Sequence, residues 1–250
     1  MADVKIFVSV WNRAGCTKQC VQSLIATTRG KADIILFDNH STTDARSLWS
    51  LYRRWMLQGA VAQIVWNGAP VLTSAFWSKN YAWAQFLNLV DLIEPDERRF
   101  LVMVDNDVVF HPRWLETSLD ILTSEAARDK GVVVVSPYDG VPNPSTDPDT
   151  YHVIERLSVA GHPVEIRNAV ASRAWVARGD FWTRWPPPTW KEILRNGRPD
   201  RMPTDTYYWQ KMQAEGLRFA VMTPPASVDP PFPWRSARLQ RRIGDDARRS

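Results

Sequence analysis

The chain has 250 residues, of which 44% are hydrophobic and 23% charged, with a formal net charge of +4. This composition excludes a wholly disordered polymer and is sufficient for one large α/β domain or two small ones. No apolar run approaches a membrane span, no basic stretch leads into an apolar leader, and the only cysteines, Cys16 and Cys20, read as reduced thiols. The expectation is a cytoplasmic protein without a transmembrane segment.

Residues 5–11 (KIFVSVW) form an apolar run that predicts a first buried strand, broken at Asn12-Arg13-Ala14-Gly15. Helical spacing of Cys20, Val21 and Leu24 predicts a helix over residues 17–25. Ile34–Phe37 reads as the second strand. It ends in the polar loop Asp38-Asn39-His40-Ser41-Thr42-Thr43-Asp44, which offers N-cap candidates for a helix carrying Leu48, Leu51, Tyr52 and Trp55. Residues 61–66 predict a third strand, and residues 78–92 a helix. Phe100–Val104 predict a further buried strand, which delivers Asp105-Asn106-Asp107 at its carboxyl end.

Beyond this point the pattern changes. Val132–Val135 reads as one more buried strand, residues 137–149 as a Pro/Asp/Asn-rich loop, and residues 164–178 as one or two strands. The sequence holds thirteen Trp and eighteen Pro, concentrated beyond residue 174, which predicts rigid, aromatic-lined loops there. Thr206–Glu215 predicts a helix with Gly216 as its C-cap, and Phe219–Met222 a last strand. Arg235, Arg238, Arg241, Arg242, Arg248 and Arg249 make residues 236–250 and their approach a basic tail. It is either a solvated terminus or a contact for nucleic acid, anionic lipid or acidic polymer.

Strands alternating with helices predict a Rossmann-like, doubly wound, mostly parallel sheet. In such a sheet the clusters Asn12-Arg13, Asp38–Thr42 and Asp105-Asn106-Asp107 fall on one carboxyl-terminal edge, where open α/β sheets bind ligands. Two hard carboxylates on one tight turn suit Mg²⁺ or Mn²⁺ and, through it, a diphosphate, although Asp-Asn-Asp is equally good turn chemistry. Neither a G-x-G-x-x-G nor a G-x-x-x-x-G-K-[ST] loop occurs, which argues against a dinucleotide fold or a P-loop.

VSVWNRAGCTKQCVQSL, IILFDNHSTTD, Lys79-Asn80, VDNDVVFHPRWLE and PTDTYYWQKMQAEGLRF occur in that order between residues 5 and 223. In this combination the chain resembles the GT-A glycosyltransferases, especially the inverting family 2 group. The resemblance implies a single GT-A domain over residues 1–235, with a nucleotide-binding half (1–107) and a loop-rich acceptor half (108–235). It implies that Val10, Trp11, Asn12 and Arg13 line the nucleotide, that Asp38 meets the base, and that Asn39, Asn80 and Asn106 join that site. Asp105 and Asp107 take the Asp-x-Asp role on ribose and metal, and Asp205 the place of the general base. Two departures stand out: Thr204-Asp205 replaces a frequent Glu-Asp, and Ser227-Val228-Asp229-Pro230 stands where a late His is frequent, so that either Asp229 is the third metal ligand or the position supplies none.

The implied activity is metal-dependent transfer of a sugar from a UDP- or GDP-sugar to a hydroxyl on a glycan, a protein or a hydroxylated DNA base. The alternatives are a sugar-phosphate nucleotidyltransferase, for which Asn12-Arg13-Ala14-Gly15-Cys16 lacks the Gly-rich cationic loop, and a non-catalytic binding module. His111 reads as a helix lead-in rather than a ligand. Arg173 and Arg178 are phosphate or acceptor contacts or solvated side chains. Trp182, Trp185 and Trp190 either stack on a sugar or base or pack in loops.

Overall fold

The computed structural model describes residues 3–28, 30–67, 99–138, 153–185 and 204–230, without the side chains of residues 183 and 204–206. The helix expected over 78–92, Lys79, Asn80, Trp190, most of the Pro-rich loop and the tail 236–250 lie outside the described residues.

Nine strands form one sheet in the order β3-β2-β1-β4-β9-β6-β10-β8-β7. The first four in that order are β1 (Asp3–Val10), β2 (Asp33–Asp38), β3 (Gln63–Trp66) and β4 (Arg99–Asp105). They are mutually parallel, so their carboxyl ends share one edge. Their near-continuous apolar runs follow from burial on both faces. Ile6, Val8 and Val10 of β1, with Val102 and Val104 of β4, pack in one core, while Phe7, Leu101 and Met103 point into the other. The first core is closed by α1 (Ala14–Thr28), α2 (Ala45–Leu57), α3 (Trp114–Thr123) and the short α4 (Glu125–Asp129), through side chains such as Leu24, Tyr52, Trp114 and Ala127. Each fully buried side chain of this size contributes about 1.5–3 kcal/mol.

The other half of the sheet is mixed. β6 (Val132–Ser136) and β10 (Arg218–Met222) are parallel to each other, whereas β9 (Ala174–Arg178) runs against both β4 and β6. Where one or two strands were expected over 164–178, three span 153–178, because β7 (Val153–Val159) and β8 (His162–Arg167) form a hairpin. Its turn at Ala160-Gly161 has φ of 51° and 80°, the paired positive values that a two-residue hairpin requires. Val153, Ile154, Leu157 and Val159 do not alternate, because the register shifts between Val153 and Glu155, while Glu155, Arg156 and Ser158 face solvent at the sheet edge.

Residues 186–190 of the aromatic and Pro-rich stretch lie outside the described residues, and rings before it sit in regular elements. Trp175 lies in β9 and Trp182 in α5 (Gly179–Arg184), and both are buried beside Tyr208 of α6 (Thr204–Ala214). Bulky rings here fill the second core. α6 begins two residues before the expected Thr206, and Gly216 ends it at φ 71°, its N–H donating to the Gln213 carbonyl (3.2 Å). Two short pieces, β5 (Val109–Phe110) and β11 (Ser227–Val228), pair as a separate antiparallel ribbon. No described helix is long and apolar enough to cross a membrane.

Candidate functional site

The three polar clusters meet at the carboxyl edge of β2, β1 and β4, and Asn12 ties them together. Its backbone N–H donates to Ser41 Oγ (2.7 Å), while its Oδ1 accepts the N–H groups of Thr42 and Thr43 (both 2.9 Å). Asn106 Nδ2 donates to the Asn12 carbonyl (3.1 Å) and to Thr17 Oγ1 (2.8 Å). Asn12, Arg13 and His40 all adopt left-handed backbone, with φ of 54°, 57° and 56°. Such values cost about 1–2 kcal/mol each outside glycine, so the hydrogen bonds around Asn12 must hold the loop. Asp44 stands at the N-cap of α2 but makes no side-chain cap there. Its Oδ2 instead accepts the N–H of Ala14, the first residue of α1 (3.0 Å).

Asp38, at the end of β2, is fully buried. Its Oδ1 accepts the Ser41 N–H (2.7 Å) and its Oδ2 the Tyr52 hydroxyl (2.6 Å). Burial, reinforced by the charge of Asp38, pushes the Tyr52 phenol far above its usual range, so it remains a neutral donor. Asn39 is also buried, and its Oδ1 accepts Asn67 Nδ2 (2.8 Å).

The second half of the sheet brings charge to this frame. The antiparallel register of β4 and β9 pairs Val104 with Ala174, which sets Arg173 opposite Asp105, whose N–H donates to the Arg173 carbonyl (2.8 Å). The ribbon pairs Val228 with Val109, which sets Asp229 beside the turn holding Asp107. Arg173 Nη2 then donates to Asp107 Oδ1 (2.6 Å) and to the Asp107 carbonyl (2.9 Å). Arg173 Nη1 donates to the Tyr138 hydroxyl (2.6 Å) and to Asp229 Oδ1. From the other side, Arg13 Nη1 donates to Asp107 Oδ2 (2.9 Å). Burial opposes the Arg173 charge, but Asp107, Tyr138 and Asp229 outweigh it and hold the guanidinium protonated. Burial raises the Tyr138 phenol to about 12 against the pull of Arg173, so it too is neutral and donates to Asp229 Oδ1 (2.9 Å).

Of the residues singled out in the sequence, Asn12, Arg13, Asp38, Asn39, Asp105, Asn106, Asp107 and Asp229 gather here, with Trp11 exposed at the rim. Val10 sends its side chain into the core and accepts the Asn39 N–H at its carbonyl (2.9 Å). Asp205 lies in the first turn of α6. Trp182 and Trp185 are buried, Arg178 pairs with Asp180 (3.1 Å), and exposed His111 precedes α3 with its N–H on the Ala226 carbonyl (2.8 Å). The buried Cys20 thiol is pushed far up by desolvation, which makes it unreactive. Tyr138 and Tyr52 were not foreseen. Tyr52 reads as a helix core position and Tyr138 as part of a polar loop, and only the fold reveals the carboxylate each one faces.

Among the described residues no three His, Cys, Asp or Glu side chains form a ready metal cage. Asp107 and Asp229 nevertheless present carboxylate oxygens to one cation, the Arg173 guanidinium, and such a hard-oxygen pair fits Mg²⁺ or Mn²⁺ with the remaining positions left to phosphate and water.

No family model and no curated protein matches the sequence. Solved structures do match in fold. A mannosyltransferase from Pyrobaculum calidifontis in complex with GDP-Man and Mn²⁺ superposes with a TM-score of 0.55 at 14% identity, over 88% of this chain and 58% of that one. TarS residues 1–349 from S. aureus in complex with UDP-GlcNAc gives 0.55 at 12% identity, over 90% and 57%. GalNAc-T7 with UDP, GalNAc and Mn²⁺ gives 0.55 at 12% identity, over 91% and 43%. The fold is GT-A. This GT-A chain spans about half the length of the solved structures it matches.

Proposed function

We propose that this chain is a metal-dependent glycosyltransferase that moves a sugar from a UDP- or GDP-sugar to a hydroxyl acceptor with inversion. The observation that carries the reading is the convergence of Asp107, Asp229, Arg13 and Arg173 on the carboxyl edge of a GT-A sheet, beside the Asn12-centred loops. Complexes of fold neighbours with GDP-Man and UDP-GlcNAc support the donor class.

The nucleoside lies along the loops after β1 and β2, with Trp11, Asn12 and Arg13 on one side and Asp38 and Asn39 shaping the base end. Asp107 and Asp229, with Asp105, would hold the metal, and the chemistry it would supply when bound is Lewis-acid compensation of the charge on the diphosphate leaving group. Arg13 and Arg173 add donors for phosphate oxygens, the guanidinium fork matching phosphate in geometry and sign. Asn80 and Asn106 complete the donor contacts. Asp205, in the first turn of α6, accepts the proton of the acceptor hydroxyl as its oxygen attacks the anomeric carbon. The rigid clasp around Asn12 keeps these groups in place before substrate binds, which lowers the cost of ordering them.

The test is calorimetric titration of UDP and GDP with Mn²⁺ and in EDTA, on the wild type and on Asp107→Asn. Binding of one diphosphate only with Mn²⁺, and its loss in the variant, is the expected result. Equal affinity in EDTA overturns the metal role.

A further inference from the structure

Resting on the metal reading above, we propose that Arg173 is an internal counter-cation: a divalent metal must displace it from Asp107 and Asp229, and its guanidinium then turns to the donor phosphates. Three features of the site lead there. One guanidinium spans both carboxylates, with Nη2 on Asp107 Oδ1 at 2.6 Å and Nη1 on Asp229 Oδ1. It neutralises the two acids jointly, beside the contacts that Arg13 makes to Asp107 and the Tyr138 hydroxyl to Asp229. A divalent ion on those oxygens would instead lie against the guanidinium, and the repulsion between the two cations disfavours sharing.

The anchoring of Arg173 permits such an exchange. Its backbone is pinned, the N–H donating to the Ala171 carbonyl (2.9 Å) and the carbonyl accepting the Asp105 N–H (2.8 Å). Only the side chain needs to move, and its flexible stem ends in a fork suited to two phosphate oxygens. The neutral Tyr138 hydroxyl stays on Asp229 (2.9 Å) and keeps that carboxylate aimed while the guanidinium leaves. Arg13 is the outer partner, about half exposed, and approaches Asp107 through the opposite oxygen. It does not bridge the two acids.

The experiment compares the full chain with its Arg173→Met and Arg173→Lys variants. Mn²⁺ alone is titrated first, followed by manganese spin resonance. UDP and GDP are then titrated by calorimetry at saturating Mn²⁺. Arg173→Met is expected to bind Mn²⁺ about tenfold more tightly, since a close competing charge is gone, and the nucleotide about tenfold more weakly. Arg173→Lys should change both in the same directions by less, and it decides the matter where Arg173→Met does not fold. A residue that merely supports the metal ligands predicts the opposite sign, a loss of roughly 10–100-fold in metal affinity. Unchanged or weaker Mn²⁺ binding, or unchanged nucleotide binding, overturns the exchange. If the wild type binds Mn²⁺ through Asp107 and the variants bind no tighter, this inference alone falls. If none of the proteins binds Mn²⁺, with or without nucleotide, the metal reading falls with it.

Discussion

The two halves of the sheet contribute different things to one edge. The parallel half, β3-β2-β1-β4, supplies a frame whose side-chain contacts are largely neutral and mutually satisfied: Asn12 on Ser41, Thr42 and Thr43, Asn106 on Asn12 and Thr17, and Asp38 on Ser41 and Tyr52. The mixed half adds Arg173, Tyr138 and Asp229, whose contacts are charged and partly open to solvent. The neutral clasp is thus built by the parallel half, whereas the charge is shared: Arg13 and Asp107 at its edge meet Arg173 and Asp229 where β9 inserts beside β4. Substitutions in the frame should cost stability, and substitutions in the charged half should cost activity.

The largest expected effect lies in the second half. Asp205→Asn should lose about 10²–10⁴-fold in turnover, the usual contribution of general base catalysis. Its melting temperature should hardly move, because Asn is as good as Asp at a helix start. Turnover, melting and NMR of the product's anomeric configuration check this together, and a fully active variant removes Asp205 from the chemistry.

In the frame, Asp38→Ala strands a buried N–H and a buried hydroxyl, so urea unfolding should show a loss of roughly 2–5 kcal/mol. Tyr52→Phe should lose about 1.5–3 kcal/mol, the usual contribution of one hydrogen bond to a charged group. Asp229→Ala, with its side chain 39% exposed, should stay within about 1 kcal/mol of wild type, as exposed ion pairs do. Equal losses at Asp38 and Asp229 would erase the contrast between the halves.

A finer cut separates backbone from clasp at Asn12. Asn12→Gly relieves the left-handed φ but forfeits the two bonds to Thr42 and Thr43, whereas Asn12→Ala forfeits both advantages. The alanine variant should be less stable than the glycine variant by about 1 kcal/mol, the cost of left-handed backbone for a non-glycine residue.

The smallest effect concerns pH, far from the site. A hydrogen bond from Arg167, helped by Arg156, holds the Glu165 carboxyl below its usual value of 4.5 despite burial. Its folded value lies below its unfolded one, so this stabilisation is full above about pH 4.5 and fades as pH falls through the lower folded value. Glu165→Gln should therefore lower the melting temperature at pH 7, and the gap to wild type should narrow below pH 4.5. A constant gap across pH 3–7 would assign the effect to packing.

Much of this was legible in the sequence, for local reasons. β1, β2 and β4 announce themselves because strands buried on both faces need unbroken apolar runs, and the acids of Asp105-Asn106-Asp107 follow at once. The Asn12 clasp was half legible: its residues stood out as clusters, but not that one side chain joins them. Arg173 facing Asp107 was not, because that pairing spans 66 residues and depends on β9 entering antiparallel to β4. No short-range pattern encodes such an insertion. β7 was hidden because its apolar residues do not alternate: the register shifts between Val153 and Glu155 and breaks the period of two.

Asp44 has a consequence for how this chain can vary. Its carboxylate leaves its own helix to cap α1, so the segment from Asn39 to Asp44 works as a measured strut between the end of β2 and the start of α1. One inserted or deleted residue there would detach the cap and withdraw Ser41, Thr42 and Thr43 from Asn12 in the same stroke. Length is therefore constrained more tightly than identity: Ser41 can change to another hydroxyl or Thr43 to almost anything with a free N–H, but the count cannot. Sequences that share this edge are best sought by the fixed intervals from Asn12 to Ser41 and from Ala14 to Asp44, which survive drift in the residues between.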